Sequence, residues 1–345
     1  MQNLYELAQI VQNIDLKSTD VFLSDNNRKS KANTFYQKIL SQEFTDDTSA
    51  AYFLFKSNSN YTGYKNLKYN LREKLINTFF FYSPKTTAND SEKAITYCTK
   101  YYMAGRLLFR LAIKGAGISL CQKVFKKASE FELTEFKLLT SKELRREMAF
   151  VKGNIEKYYF YNDVYKECKK ISDVEDLAEE YYFQLHSPHI KNLEEESDTS
   201  KVAEDYYNEL SPYLAKYSTP KLHLLVRSIQ AISYQNQKNY TSVISVCEEA
   251  LTFFEKKSYT YNSGIRIFLH QLLICHIQLR DYDKGKIIAK KVLTTFKIGS
   301  YNWYINQELV LLLALHSKEY NEAYQIMKTV TTPVSYTHLT LPTKA

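Results

Sequence analysis

Glycine, proline and cysteine are scarce in this chain of 345 residues, which contains eight, six and five of them. Few glycines and prolines mean few tight turns, so the composition favours long helices over a loop-rich β architecture. The five cysteines are widely spaced and none belongs to a CxxC pair; they are Cys98, Cys121, Cys168, Cys247 and Cys275. We therefore expect neither a disulfide framework nor a zinc site, and we expect a cytoplasmic location.

Long apolar runs and a signal peptide are also missing. The longest apolar run, residues 309–315, has seven residues, whereas a membrane span needs about 20. The first basic residue is Lys17, so no basic segment precedes an apolar one at the start of the chain. The sequence thus predicts neither secretion nor a membrane partner.

Recognisable catalytic motifs are absent as well. Gly115 and Gly117 follow Lys114 but match neither a Walker loop nor a dinucleotide fingerprint, and they indicate a turn between helices. His186 and His189 lack the further ligands that a metal site requires. No nucleophile-elbow, zincin or kinase motif occurs. We expect a non-catalytic protein without a metal or another cofactor.

Hydrophobic residues make up 44% of the chain and charged residues 24%, as in folded proteins. Their helical period predicts an all-α fold. We predict a small helical module over 1–83, long helical hairpins over 91–187, an acidic linker over 188–200 and repeats over 201–334. Residues 335–345 look like translated sequencing adapter, which predicts a truncated fragment, and the Lys-, Asn- and Tyr-rich composition suggests a bacterial source.

A short motif recurs three times near the C-terminus. Its copies are Lys238-Asn239-Tyr240-x-x-Val243, Arg280-Asp281-Tyr282-x-x-Gly285 and Lys318-Glu319-Tyr320-x-x-Ala323. The tyrosines are 42 and 38 residues apart, and apolar-periodic segments at 222–236, 263–279 and 303–316 precede them. This pattern predicts hairpins of two helices joined by a tight turn, which must stack to bury their faces.

On these residues, the segment 222–330 resembles the tetratricopeptide repeat family. The second helix of that repeat opens with a G-[DN]-Y-x-x-A signature, which an Ala-Leu pair follows, here Ala250-Leu251. Lys238, Arg280 and Lys318 stand where the family has glycine, and the spacing exceeds the usual 34 residues. The resemblance implies an α-solenoid of stacked antiparallel helical hairpins.

The resemblance also implies an interaction scaffold that holds a peptide or a partner helix in a concave groove. The first helix of each repeat would line the groove, with Ser228, Gln235, His270, Ile277, Glu308 and Leu315 at the facing positions. These are not the Lys and Asn of carboxylate-clamp members, so capture of a C-terminal carboxylate is not implied.

The N-terminal module supports an alternative function. Residues 46–56 and 61–78 resemble a helix-turn-helix. Residues 78–82 are either a wing strand or the end of the second helix. The second helix would offer Lys65, Lys68 and Arg72 to DNA, which makes the chain a transcriptional regulator with a repeat-based sensor. An ordinary helical hairpin explains the same apolar stripe, Tyr64, Leu67, Leu71 and Leu75, equally well.

Overall fold

The protein is all-α, as predicted. A computed structural model describes residues 1–13, 30–44, 46–80, 82, 89–150, 154–186, 199–296 and 298–331, and this part contains fifteen helices and no strand. The helices are α1 Gln2–Asn13, α2 Lys31–Leu40, α3 Asp47–Phe55, α4 Thr62–Phe79, α5 Asp90–Arg110, α6 Lys114–Glu130, α7 Thr134–Phe150, α8 Ile155–His186, α9 Thr199–Lys216, α10 Pro220–Asn236, α11 Tyr240–Glu255, α12 Asn262–Gln278, α13 Tyr282–Thr295, α14 Tyr301–His316 and α15 Tyr320–Thr331. None of these described helices has the length and apolarity that a membrane span requires.

The chain divides into two compact units, Met1–Ala88 and Asn89–Ala345. In the first unit, α1, α2 and α3 all contact α4. Tyr64, Leu71 and Leu75 of α4 are buried in the shared core, as their helical spacing predicts. Of the two alternatives for 78–82, a strand or a helix end, the structure has the helix end at the first two positions, because α4 continues through Thr78 and Phe79.

In the second unit, consecutive helices pack side by side as antiparallel hairpins. The three predicted hairpins are α10–α11, α12–α13 and α14–α15, and each second helix begins at the motif tyrosine. Val243 and Ala323 are buried at the small position of the motif. A Cβ on Gly285 would lie 3.0 Å from Leu313 Cδ1, which shows how closely α13 approaches α14.

The turns inside these hairpins share one backbone geometry. Lys238, Arg280 and Lys318 are left-handed, with φ of 57°, 58° and 63°. The amide after each one donates to a carbonyl five residues earlier, as when Asn239 N donates to Tyr234 O at 2.9 Å. This is the Schellman ending that usually contains glycine. Ala112 and Glu132 have the same conformation between α5 and α6 and between α6 and α7, so the turn extends beyond the recognisable repeats.

The turn predicted at Gly115–Gly117 is wrong by a few residues. Both glycines lie in the first turn of α6, and the connection from α5 is formed around Ala112. The bare Cα of Gly117 allows the Phe109 ring to pack there, since a Cβ would lie 2.6 Å from Phe109 Cε1. Gly117 therefore marks a close contact within the hairpin and not the turn between its helices.

The long helix α8 takes part in two hydrophobic clusters. Tyr161, near its start, packs with Cys121 and Leu144 of α6 and α7. Ala178 and Leu185, near its end, pack with residues of α9 and α10. Helix α8 thus joins the hairpins of α5–α7 to the later ones. The acidic linker predicted over 188–200 lies outside the described residues, except for Thr199 and Ser200, which begin α9.

Candidate functional site

The first helices of the three repeats lie in sequence along the array, and α12 contacts both α10 and α14. The six predicted groove residues occupy equivalent positions on these helices, twelve and five residues before the motif tyrosines. Positions seven residues apart are two helical turns apart and lie on one face.

On α10, this face is largely closed. Ser228 is only 6% exposed, and its Oγ donates to Leu224 O at 2.7 Å. Helix α10 is in contact with α8, α9, α11 and α12. Ser228 is therefore no surface residue, contrary to the expectation for a groove. Gln235 is half-buried and accepts a hydrogen bond from Gln271 Nε2 of α12.

On α12, the two predicted residues contact neighbouring elements. His270 Nδ1 lies 3.0 Å from Asn306 Oδ1 of α14, and Asn306 Nδ2 donates to Asn302 O at 2.7 Å. Ile277 is half-buried against the cluster that contains Leu273. The bond to Asn302 lies within α14 and orients the buried amide, and the bond to His270 joins α14 to α12. His270 and Ile277 thus help to set the spacing of α12 and α14.

Helix α14 presents the most open positions. Glu308 and Leu315 are exposed as expected, and Leu312 is 40% exposed although the apolar run at 309–315 predicts a core helix. Glu308, Leu312 and Leu315 follow i, i+4, i+7 spacing and share one face. On α12, Ile267, His270 and Ile274 follow i, i+3, i+7 spacing, and Ile267 is 38% exposed. We call these six residues the α12–α14 face.

The α12–α14 face has a defined chemical character. It offers four aliphatic side chains, one histidine and one carboxylate, that of Glu308. Exposed aliphatic side chains on adjacent helices are typical of surfaces that bind apolar groups. Among the described residues, no group of three or more His, Cys, Asp or Glu side chains is placed to hold a metal ion.

The predicted nucleic-acid residues of α4 divide into two groups. Lys65 and Arg72 are exposed. Lys68 Nζ instead lies 2.6 and 2.8 Å from the two carboxylate oxygens of Asp47, which also accepts from Tyr64 Oη at 2.5 Å. Burial raises the pKa of Asp47, but the bonds from Lys68 and Tyr64 outweigh it and hold the pKa below its usual value. Lys68 thus ties α4 to α3 and is not a free cation.

Aromatic side chains accompany the free cations of α4. Tyr61 and Tyr69 are 45% and 62% exposed. Lys65, Tyr69 and Arg72 recur at i, i+4, i+7 spacing and form one stripe of α4, and Tyr61 immediately precedes the helix. We call these four residues the α4 stripe. Alternating rings and cations suit the stacking and phosphate contacts that nucleic acids need.

Comparison with family models, with curated proteins and with solved structures finds no match to this chain.

Proposed function

We propose that this chain is a non-catalytic interaction protein and that its α12–α14 face binds a helical or extended segment of a partner protein. The observation that carries the proposal is the exposure of Ile267, Leu312 and Leu315, which are 38%, 40% and 44% exposed on adjacent first helices. Removing such side chains from water contributes about 25 cal/mol per Å² of apolar area.

The chemistry of the face suggests what the partner segment contains. Leu312 and Leu315 offer contacts to apolar side chains that follow helical spacing in the partner. Glu308 is exposed on the same face, so a Lys or Arg in the partner would form a charged hydrogen bond there. The proposed ligand is therefore an amphipathic segment with aliphatic anchors and at least one basic residue.

Selection from a random peptide library on the folded chain tests the proposal. We expect the selected peptides to be enriched in aliphatic residues at i, i+4 spacing together with Lys or Arg. Their dissociation constants, measured by fluorescence anisotropy, should rise at least about tenfold in the double variant Leu312→Glu/Leu315→Glu, because two apolar contacts are lost.

The matched control is Ile287→Glu on α13. Ile287 is 57% exposed but lies on the second helix of its repeat, so this variant adds a charge at an exposed isoleucine away from the face. Selected peptides should bind it within about twofold of the unchanged chain. Peptides that bind the double variant and the unchanged chain equally would assign the interaction to another surface.

A second candidate function, DNA binding by the first unit, is favoured by the exposure of Lys65 and Arg72 beside Tyr61 and Tyr69. Two free cations give a weak electrostatic footprint, because each phosphate contact changes the salt slope by only about 0.9. Asn66 and Asn70 are also exposed on α4 and carry the amide group that reads adenine in the major groove.

Anisotropy of a labelled duplex, titrated with the full chain at several salt concentrations, tests this second function. Lys65→Ala should weaken binding and reduce the salt slope by about one. Lys74→Ala removes the same charge from an exposed lysine nine residues further along α4, which is the opposite side of the helix, and should have little effect. Equal effects of the two variants would show that DNA binding depends on net charge and not on the position of Lys65.

A further inference from the structure

A cleft in the second unit is separate from the α12–α14 face. It has a volume of about 460 Å³ and is formed where the start of α7, the middle of α8 and the starts of α10 and α12 meet. Four carboxylates line it, Glu132, Glu135, Glu175 and Asp176, against the single ammonium of Lys221. Its remaining walls are largely apolar and include Phe131, Phe136 and Tyr261.

Glu175, on α8, is the buried group of this cleft. Glu175 is only 4% exposed. One carboxylate oxygen, Oε1, accepts from Thr134 Oγ1 at 3.0 Å and from Thr219 Oγ1 at 2.5 Å. The other oxygen, Oε2, receives no hydrogen bond from any described residue. Burial raises the pKa of Glu175, and the two threonine hydroxyls and the charge of Lys221 oppose that rise without reversing it.

The nearby cations are bound to other carboxylates. Lys221 Nζ lies 2.6 Å from Glu179 Oε2 and 3.9 Å from Asp176 Oδ1. Lys257 Nζ lies 2.8 Å from Glu132 Oε1. Within the described part of the chain, no basic side chain forms an ion pair with Glu175. Lys221 acts on Glu175 only through its charge, without an ion-pair contact. A buried carboxylate without a paired cation is costly, and a cation bound in contact with it would reduce that cost.

Tyr261 adds an aromatic wall and a polar group. Its ring stacks on Phe254 with 5.3 Å between centroids, which fixes its position. Burial and the charge of Glu175 raise the pKa of Tyr261 to about 12, so the phenol is neutral at physiological pH. Aromatic rings beside a carboxylate attract an ammonium group and pack against its methylene chain.

We propose that this cleft binds an alkylammonium group, whose N–H donates to Glu175 Oε2 while its methylene chain packs between Phe131, Phe136 and Tyr261. Two sources share this chemistry, a free aliphatic diamine and the lysine side chain of a partner protein. The site stands independently of the proposed function, since it shares no residue with the α12–α14 face.

Isothermal titration of the full chain with 1,5-diaminopentane and, separately, with Nα-acetyl-lysine N-methylamide tests the proposal at constant ionic strength. We expect saturable one-to-one binding of at least one probe, and the tighter probe identifies the source. Absence of saturable binding of both probes up to about 10 mM would overturn the proposal.

Glu175→Gln is the decisive variant, because the glutamine Oε1 still accepts from both threonines while the charge is lost. It should weaken binding at least about tenfold. Glu180→Gln makes the same charge change at an exposed position of α8 that does not line the cleft, and binding should stay within about twofold. Equal affinities of these two variants would overturn the proposal.

Tyr261→Phe keeps the ring and removes the hydroxyl. It should retain binding within about threefold, because the ring face and not the phenol packs on the methylene chain. Circular dichroism confirms that each variant is folded. Loss of binding in Tyr261→Phe with no loss in Glu175→Gln would contradict the assigned contacts.

Discussion

At the scale of single residues, His223 shows how burial alone changes the behaviour of a side chain. Its ring stacks on Phe253 with 3.6 Å between centroids. Neither ring nitrogen has a hydrogen-bond partner among the described residues. Burial, followed by the positive charges of Arg227 and Lys257, lowers the pKa of His223 from 6.5 to about 4. The folded protein therefore keeps His223 neutral at mildly acidic pH.

The neutral His223 makes folding sensitive to acid. Its contribution to the free energy of unfolding is complete above pH 6.5 and is lost progressively as the pH falls towards 4. In this range only the unfolded chain takes up the proton. The ring is half-buried, so solvent screening limits the loss to about 1–2 kcal/mol. His223→Phe keeps the ring stack and should lose less free energy of unfolding between pH 7.5 and pH 4.5, as urea titrations would show.

The control for this prediction is His316→Phe, at an exposed histidine of α14. It should lose as much stability on acidification as the unchanged chain. If His223→Phe also loses as much, another group is responsible for the acid sensitivity.

Single residues also show where the pattern in the sequence stops being informative. Lys65, Lys68 and Arg72 form one basic stripe by spacing, and all three were equivalent candidates for nucleic-acid contact. The structure pairs Lys68 with Asp47, a residue 21 positions earlier on another helix. Such a partner is set by the packing of α3 on α4, and no spacing within α4 predicts it. Ser228 is a similar case, because its position in the repeat predicts a groove residue although it is buried.

At the scale of secondary-structure elements, the ends of the first helices carry a conformational cost. Lys238, Arg280 and Lys318 adopt left-handed φ values that are strained for residues with a side chain. All three side chains are exposed, so replacing them with glycine would remove few side-chain contacts. The motif therefore forms the Schellman turn of a helical hairpin without the glycine that usually occupies it.

Glycine at any of these turns should stabilise the protein. Glycine relieves the left-handed strain in the folded state but also raises the entropy of the unfolded chain. The net gain in the free energy of unfolding should be about 0.5–1 kcal/mol for Lys238→Gly, Arg280→Gly or Lys318→Gly. Lys256→Gly is the matched control, since Lys256 follows α11 with φ of −75°, and it should lower stability. Urea unfolding at pH 7.5 measures all four. A decrease at all three turns would show that the lysine and arginine side chains make stabilising contacts.

The elements themselves were largely predictable. The apolar period predicts helices over 222–236, 263–279 and 303–316, and the structure has them at Pro220–Asn236, Asn262–Gln278 and Tyr301–His316. The apolar period predicts where helices lie because each helix buries one face. The turn expected at Gly115–Gly117 was wrong because glycine serves close packing as well as turns, and sequence alone does not distinguish these uses.

At the scale of the second unit, a contact far apart in sequence joins early and late hairpins. Tyr259, in the connection before α12, donates from its hydroxyl to Glu132 Oε2 at 2.7 Å, and its ring packs on Phe131 with 4.9 Å between centroids. Lys257 pairs with the same carboxylate. In a simple repeat array each element contacts only its neighbours. Here residues more than 120 positions apart hold α6–α7 against the later repeats.

Removing this contact should loosen one part of the unit selectively. Tyr259 is 7% exposed, so Tyr259→Ala loses buried ring area and a hydrogen bond. Amide hydrogen exchange of α5–α7 should accelerate at least about tenfold, while exchange of α13–α15 should stay within about twofold. Tyr324→Ala, at a tyrosine that is 64% exposed, should leave α5–α7 unchanged. Uniform acceleration across the unit in Tyr259→Ala would instead show global destabilisation.

The sequence by itself determined that the chain is all-α, where the repeat helices lie and where each hairpin turns, since these depend on periods and turn residues read along one segment. Only the tertiary structure decided which predicted site residues are exposed, that Leu312 and Ile267 are exposed on helices in contact, and that Glu175 lies buried in a cleft. Those properties depend on residues from separate helices that tertiary packing brings together, and the spacing of residues within one helix does not predict such contacts.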